Sequence, residues 1–199
     1  MVSNAIERVG VIGAGQMGGG IAEVCIKAGA QVLAFEPTEA LTTAGRERIT
    51  KSLDNAVKKG KLSEADRDAA LGRLSFTNDL ADMADRQLVI EAIVEDVNVK
   101  TKVFSQLDEI ITDPDAVLAS NTSSIPIMRI AAATKNPSRV LGLHFFNPVP
   151  VLPLVELISS VTTAPEAAAR VETFAADVLG KKVVRASDRS GFVVNFLLV

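Results

Sequence analysis

The chain has 199 residues, enough for one domain and for a second only if that is small. Apolar residues make up 48% and charged ones 23%, an ordinary globular balance, and a net charge of −3 gives no electrostatic footing for nucleic-acid binding. A single cysteine, Cys25, excludes disulfide and multi-cysteine metal frameworks, so no metal is expected, and no run approaches the ~20 apolar residues that span a bilayer.

Residues 1–8 carry Glu7 and lack the basic-then-apolar order of a secretory signal, so a cytoplasmic protein is expected. From there, apolar runs of strand length alternate with amphipathic segments of helix length, the pattern of a parallel sheet with crossover helices. Strands are predicted at 8–12, 31–35, 88–92, 116–119 and 140–145. Helices are predicted at 17–28, 39–59, 63–71, 97–111 and 127–134, the third capped by Ser63 and followed by Gly72. Cys25 falls within the first helix and reads as a small core residue.

After Phe145 the rhythm changes. Pro148, Pro150 and Pro153 forbid a helix, so the next strand, 154–159, must return antiparallel to its predecessor. A helix at 165–179, closed by Gly180, and a strand at 182–186 complete a first domain of residues 1–186. Residues 187–191 read as a linker. The apolar stretch 192–199 reads as the first turns of a truncated all-helical second domain, or as a tail folded back on the first.

Between the first strand and first helix stands Gly13-Ala-Gly-Gln-Met-Gly18. Glycines at this spacing allow a tight turn, close approach of backbone to a pyrophosphate and close helix–strand packing, and the helix N-terminus faces the phosphates. Glu36, at the end of the second strand and roughly 20 residues on, would accept hydrogen bonds from the ribose hydroxyls and repel a 2′-phosphate, favouring NAD over NADP. Its other reading is a cap for the helix beginning near Thr38. The expected architecture is therefore a doubly wound, mostly parallel α/β sheet of the Rossmann type with an antiparallel extension.

Three further polar clusters end strands: 91–96, Asn121-Thr-Ser-Ser124 and His144-Phe-Phe-Asn147. Parallel strands end on one edge, so these clusters should meet beside the dinucleotide. His144, the only histidine, reads as a hydrogen-bonded core residue or as a base. The antiparallel return brings Glu156 to the same edge, where a carboxylate would fix the imidazole tautomer for alcohol oxidation. Ser123 and Ser124 read as caps of the helix near Pro126, and the Ser123 hydroxyl reads equally as a donor to a substrate oxygen. The basic stretch 51–61 is either a lysine-rich helix end favoured by the dipole or a seat for a phosphate-rich ligand.

VGVIGAGQMGGGIAEV, EAIVEDVNVK, ASNTSSIPI, LGLHFFNPVPVLPLVELI and SDRSGFVVNFLLV together resemble the L-3-hydroxyacyl-CoA dehydrogenases, particularly the stand-alone bacterial 3-hydroxybutyryl-CoA dehydrogenases of the actinobacterial type. The resemblance runs from residue 8 to the last residue. It implies interconversion of 3-hydroxybutyryl-CoA and acetoacetyl-CoA with hydride exchanged at the nicotinamide. His144 would be the base, Glu156 its orienting partner, and Ser123 and Asn195 donors to the substrate. NAD contacts would be Gly13, Ala14, Gly15, Gln16, Met17, Gly18, Glu36, Glu95, Lys100, Ser123 and Asn147; coenzyme A contacts would be Ser52, Lys59 and Ser123. Position 36 departs from the pattern, holding Glu where many relatives have Asp. The resemblance also implies a helical domain that forms a homodimer and closes the cleft, so a chain ending at Val199 is expected to bind NAD but turn over slowly or not at all. A gulonate-type dehydrogenase of a non-CoA hydroxy acid and a non-catalytic NAD-binding module are the rival readings.

Overall fold

A computed structural model describes residues 5–188. In chain order its elements are β1 (Arg8–Ile12), α1 (Gln16–Lys27), β2 (Gln31–Phe35), α2 (Glu39–Lys58), α3 (Glu64–Leu71), β3 (Leu74–Thr77), β4 (Leu88–Glu91), α4 (Val97–Ile110), β5 (Val117–Ser120), α5 (Ile127–Ala131), β6 (Val140–Phe145), β7 (Leu154–Ser159), α6 (Pro165–Thr173) and β8 (Lys182–Ser187). A π-helical turn, Phe174–Val178, extends α6. The strands form one sheet in the order β3-β2-β1-β4-β5-β6-β7-β8. Every neighbouring pair is parallel except β6 and β7.

The order reverses between β1 and β4, which opens a crevice at their C-terminal ends. Both faces of the sheet are covered, which is why the central strands are apolar without a break. In β4, Leu88 and Ile90 face α1 and its neighbours while Val89 faces α4 and α5. Cys25 is wholly buried on the first of these faces, and burial pushes its thiol up to about 12.

The proline-rich return between β6 and β7 has an anchor that its own residues do not reveal. Lys181 reaches in from beyond α6 and its ammonium donates to the carbonyls of Val149 and Leu152, at 2.6 and 2.7 Å. Gly20 of α1 allows the loop to close, since a Cβ there would lie 2.9 Å from Val149 Cβ.

Three features depart from the sequence expectation. The edge strand β3 was not foreseen, because four residues covered mainly on one face leave a weak apolar signal. Helix α5 stops at Ala131, where Thr134 Oγ1 turns back to bond the Ala131 carbonyl and Asn136-Pro137 follows. Strand β8 continues through Ser187, one residue past its expected end, and Asp188 then caps α5. Among the described residues no helix is long and apolar enough to cross a membrane.

Candidate active site

The glycines of the first loop have separate jobs. Gly13 sits at φ +89°, a backbone conformation that favours glycine. At Gly18 a Cβ would lie 1.8 Å from the Gly13 carbonyl oxygen, so only glycine lets α1 start this close to β1. At Gly15 a Cβ would meet nothing within 4 Å: the backbone there borders open space at the α1 N-terminus. Glu36 does not cap α2; Thr38 does, accepting from the Leu41 N–H. The Glu36 carboxylate turns to the loop instead and accepts from the Ala14 N–H. Arg48 of α2 holds the loop's other side, donating to the Ala14 carbonyl at 2.7 Å. Nothing in the sequence motif marks Arg48.

The strand-end clusters do converge. They line a cleft of about 460 Å³ whose walls include Met17, Glu95, Asn121, Ser123, His144 and Asn147. His144 and Glu156 face each other across the antiparallel β6–β7 pair. His144 Nδ1 lies 2.8 Å from Glu156 Oε2, with the carboxylate wholly buried. The Phe146 ring stands 4.6 Å from the imidazole. Asn121 Oδ1 accepts from the Phe145 N–H at 2.8 Å, which ties the end of β5 to the residue after His144.

The serine cluster does not cap α5. That task falls to Asp188, whose two carboxylate oxygens accept from the Ile127 and Met128 N–H groups at 2.7 and 2.8 Å. Ser123 and Ser124 bond Glu95 Oε1 instead, through their N–H groups at 3.0 and 3.3 Å. Burial would raise the Glu95 carboxyl, but the Thr122 hydroxyl and the Lys100 charge outweigh it and hold it below the usual carboxylate range. A larger hollow of about 820 Å³ opens at the opposite edge, beside Pro114, Arg139 and Arg170. It lies at the N-terminal ends of the strands, away from these clusters, and Arg139 is already bound to Asp108 at 2.8 Å.

Residues 8–189 match the profile of the 3-hydroxyacyl-CoA dehydrogenase NAD-binding domain. The chain is 69% identical over 198 residues to the 3-hydroxybutyryl-CoA dehydrogenase of Mycobacterium tuberculosis, an alignment that takes in 100% of this chain and 69% of that protein. This chain belongs to the 3-hydroxyacyl-CoA dehydrogenase family. The crystal structure of M. tuberculosis FadB2 superposes with a TM-score of 0.97 at 70% identity, covering 98% of this chain and 68% of that one. That of (S)-3-hydroxybutyryl-CoA dehydrogenase PaaH1 from Ralstonia eutropha gives 0.94 at 41% identity, with the same coverage.

NAD is the cofactor of the matched domain, and the loop fits it. Gly15 leaves room for a pyrophosphate at the helix N-terminus, and Glu36 stands beside the loop at the end of β2. The remaining expected contacts are dispersed. Ser52 lines a shallow groove of about 170 Å³ with Arg48, Glu23 and the 147–150 loop, which meets the main cleft at Asn147. Burial pushes the Glu23 carboxyl up there, against the opposing effects of a hydrogen bond with Ser52 and the Lys27 charge. Lys59 is exposed at the C-terminal cap of α2, seven positions on from Ser52 and so on a similar helix face. Lys100 is buried, and Asn195 lies outside the described residues.

Proposed function

We propose that the protein oxidises (S)-3-hydroxyacyl-CoA to 3-oxoacyl-CoA and runs the reverse, with the 3-hydroxybutyryl-CoA and acetoacetyl-CoA pair as substrates. The observation that carries this reading is the 2.8 Å His144–Glu156 pair in a cleft shared with Ser123 and Asn147. Bound NAD, held by Gly13 to Gly18 and Glu36, supplies the hydride acceptor. Glu156 keeps the imidazole proton on Nδ1, which makes Nε2 the basic nitrogen. Nε2 then takes the proton of the substrate 3-hydroxyl, and the buried Glu156 carboxylate stabilises the imidazolium that results. In the reverse direction the same nitrogen returns the proton to the 3-oxo group. Ser123 and Asn195 donate to that oxygen and orient it.

Glu95, Ser123 and Asn147 border the cofactor in this reading, with Lys100 beneath Glu95. Ser52 and Lys59 meet the coenzyme A portion along the groove that opens from Asn147. The family resemblance supports a homodimer for a form of its relatives' length and a cytoplasmic enzyme.

The test is acetoacetyl-CoA-dependent oxidation of NADH, in this chain and in one extended to its relatives' full length. His144→Gln is expected to lower kcat by about 10²–10⁴-fold while leaving NADH affinity within a factor of about two. Turnover that survives the substitution unchanged sinks the assignment of the base.

A further inference from the structure

At the floor of the cleft lie two charges that take no part in the proposed proton transfer. Glu91, the last residue of β4, is 0% exposed, and Lys100 of α4 is 1% exposed. Glu91 Oε1 accepts from the Lys100 ammonium at 2.6 Å and from the Ile93 N–H at 2.7 Å; its Oε2 accepts from Ser120 Oγ at 2.7 Å. A buried ion pair is a poor source of stability, since removing two charges from water costs about as much as their attraction returns. A well-packed apolar pair would hold β4 to α4 at least as well.

The pair leads toward the cleft. Lys100 Nζ also lies 3.2 Å from Glu95 Oε2, on the cleft wall. The other Glu95 oxygen gathers the segment that follows β5: the Thr122 hydroxyl, the Ser123 and Ser124 N–H groups, and the Ser123 and Ser124 hydroxyls at 3.4 and 3.2 Å. Ser120 closes the circuit, its Oγ donating to Glu91 and accepting from the Thr122 N–H at 3.2 Å. One network thus grips the 121–124 loop at both ends, and its charges sit in the floor.

We propose that Glu91 and Lys100 are positioning residues that act through Glu95 to hold the 121–124 loop, and with it Ser123, in register with His144. Lys100, at the edge of the cleft lining, serves as the counter-ion that keeps Glu95 an acceptor for five donors. The functional meaning of this relay rests on reading the cleft as the dehydrogenase site; the relay itself does not.

The pH behaviour has a definite sign. The charged and titratable groups around Glu95 are Lys100 of α4, Asp96 at its N-cap, Glu91 at the end of β4, and His144 across the cleft. A carboxyl held below its ordinary value orders the loop above that value and releases it as pH falls through the depressed pKa. Without the Lys100 charge, release comes at higher pH.

The test follows the Ser123 and Ser124 amides of this chain by NMR, through hydrogen exchange and acid titration of their shifts. Three variants are compared: Lys100→Met, the double variant Glu91→Gln/Lys100→Met, and Glu95→Gln. The double variant strands no buried charge, so it decides the matter if the single one fails to fold. In it the two amides are expected to exchange about tenfold faster or more while core amides of β4 and β5 keep their protection. Their titration midpoint should move up, and NADH affinity should fall about tenfold. Glu95→Gln should abolish the titration altogether. The relay is overturned if loop exchange and midpoint in the double variant match the parent chain. A loosened loop together with intact turnover in His144→Gln would instead keep the relay and remove the dehydrogenase reading.

Discussion

At the scale of single residues, the glycine loop separates folding from binding. Gly18 is required by the protein itself, because any Cβ there collides with the Gly13 carbonyl. Gly15 is required only by what approaches the loop, since its Cβ would point into open space. The two substitutions to alanine should therefore behave differently. Gly18→Ala is expected to lower Tm and to abolish NADH binding together, as α1 is pushed off β1. Gly15→Ala should lower Tm by no more than about 2–4 °C, because Ala in place of Gly at this N-cap costs up to about 1 kcal/mol, yet weaken NADH binding at least tenfold. Thermal melts paired with NADH titration calorimetry read both. Equal effects on stability from the two variants would show that the loop's space is not reserved for a ligand.

At the scale of elements, the site depends on how short segments are tied to distant ones. Helix α5 has five residues and no cap of its own, yet it supports the loop that carries Ser123. Its two free N–H groups are satisfied by Asp188, sixty-odd positions along the chain. Replacing Asp188 by alanine is expected to cost ~1 kcal/mol, the usual value of a lost helix cap, and to lower Tm by ~2–4 °C. Because α5 follows directly on the 121–124 segment, exchange of the Ile127 and Met128 amides should rise most. A melt unchanged by the substitution would mean that water replaces the carboxylate without penalty. The same logic explains the proline-rich return, whose turn prolines forbid a helix but whose placement over Gly20 is set by Lys181.

At the scale of the whole molecule, the sheet sorts its two edges by purpose. All the strands from β1 to β6 run parallel, and the ends of β4, β5 and β6 meet at the cleft, while the strand starts carry structural contacts. Arg139, just ahead of β6, illustrates the second kind. It is buried, bonds Asp108 at 2.8 Å and donates to the carbonyls of Asp108, Ile111 and Asp113 near the end of α4. Asp108→Ala leaves that guanidinium without its counter-ion and is expected to cost ~3 kcal/mol in chemical denaturation. NADH affinity measured well below Tm should not change, since the pair lies at the opposite edge from the glycine loop. A loss of affinity in the folded variant would show that the two edges are coupled.

What the amino-acid order determined by itself is whatever is written in local spacing. The glycine fingerprint, the strand–helix alternation and the three prolines each act within a few residues, so the sheet class, the NAD loop, the antiparallel return and the His144–Glu156 pairing were all legible. The strand-end rule then placed Ser123 and Asn147 beside them. What only the tertiary structure decided is the choice of partner. Glu36 and Ser123 each had a capping reading, and neighbours distant in sequence removed it: the Ala14 N–H in one case and Glu95 in the other. Asp188 over α5, Arg48 against the loop and Lys100 between buried Glu91 and cleft-facing Glu95 carry no local signature, because a long-range hydrogen bond depends on which strand ends lie side by side. That adjacency is a property of strand order, β1 beside β4 and β5 beside β6, which no short stretch of the chain contains.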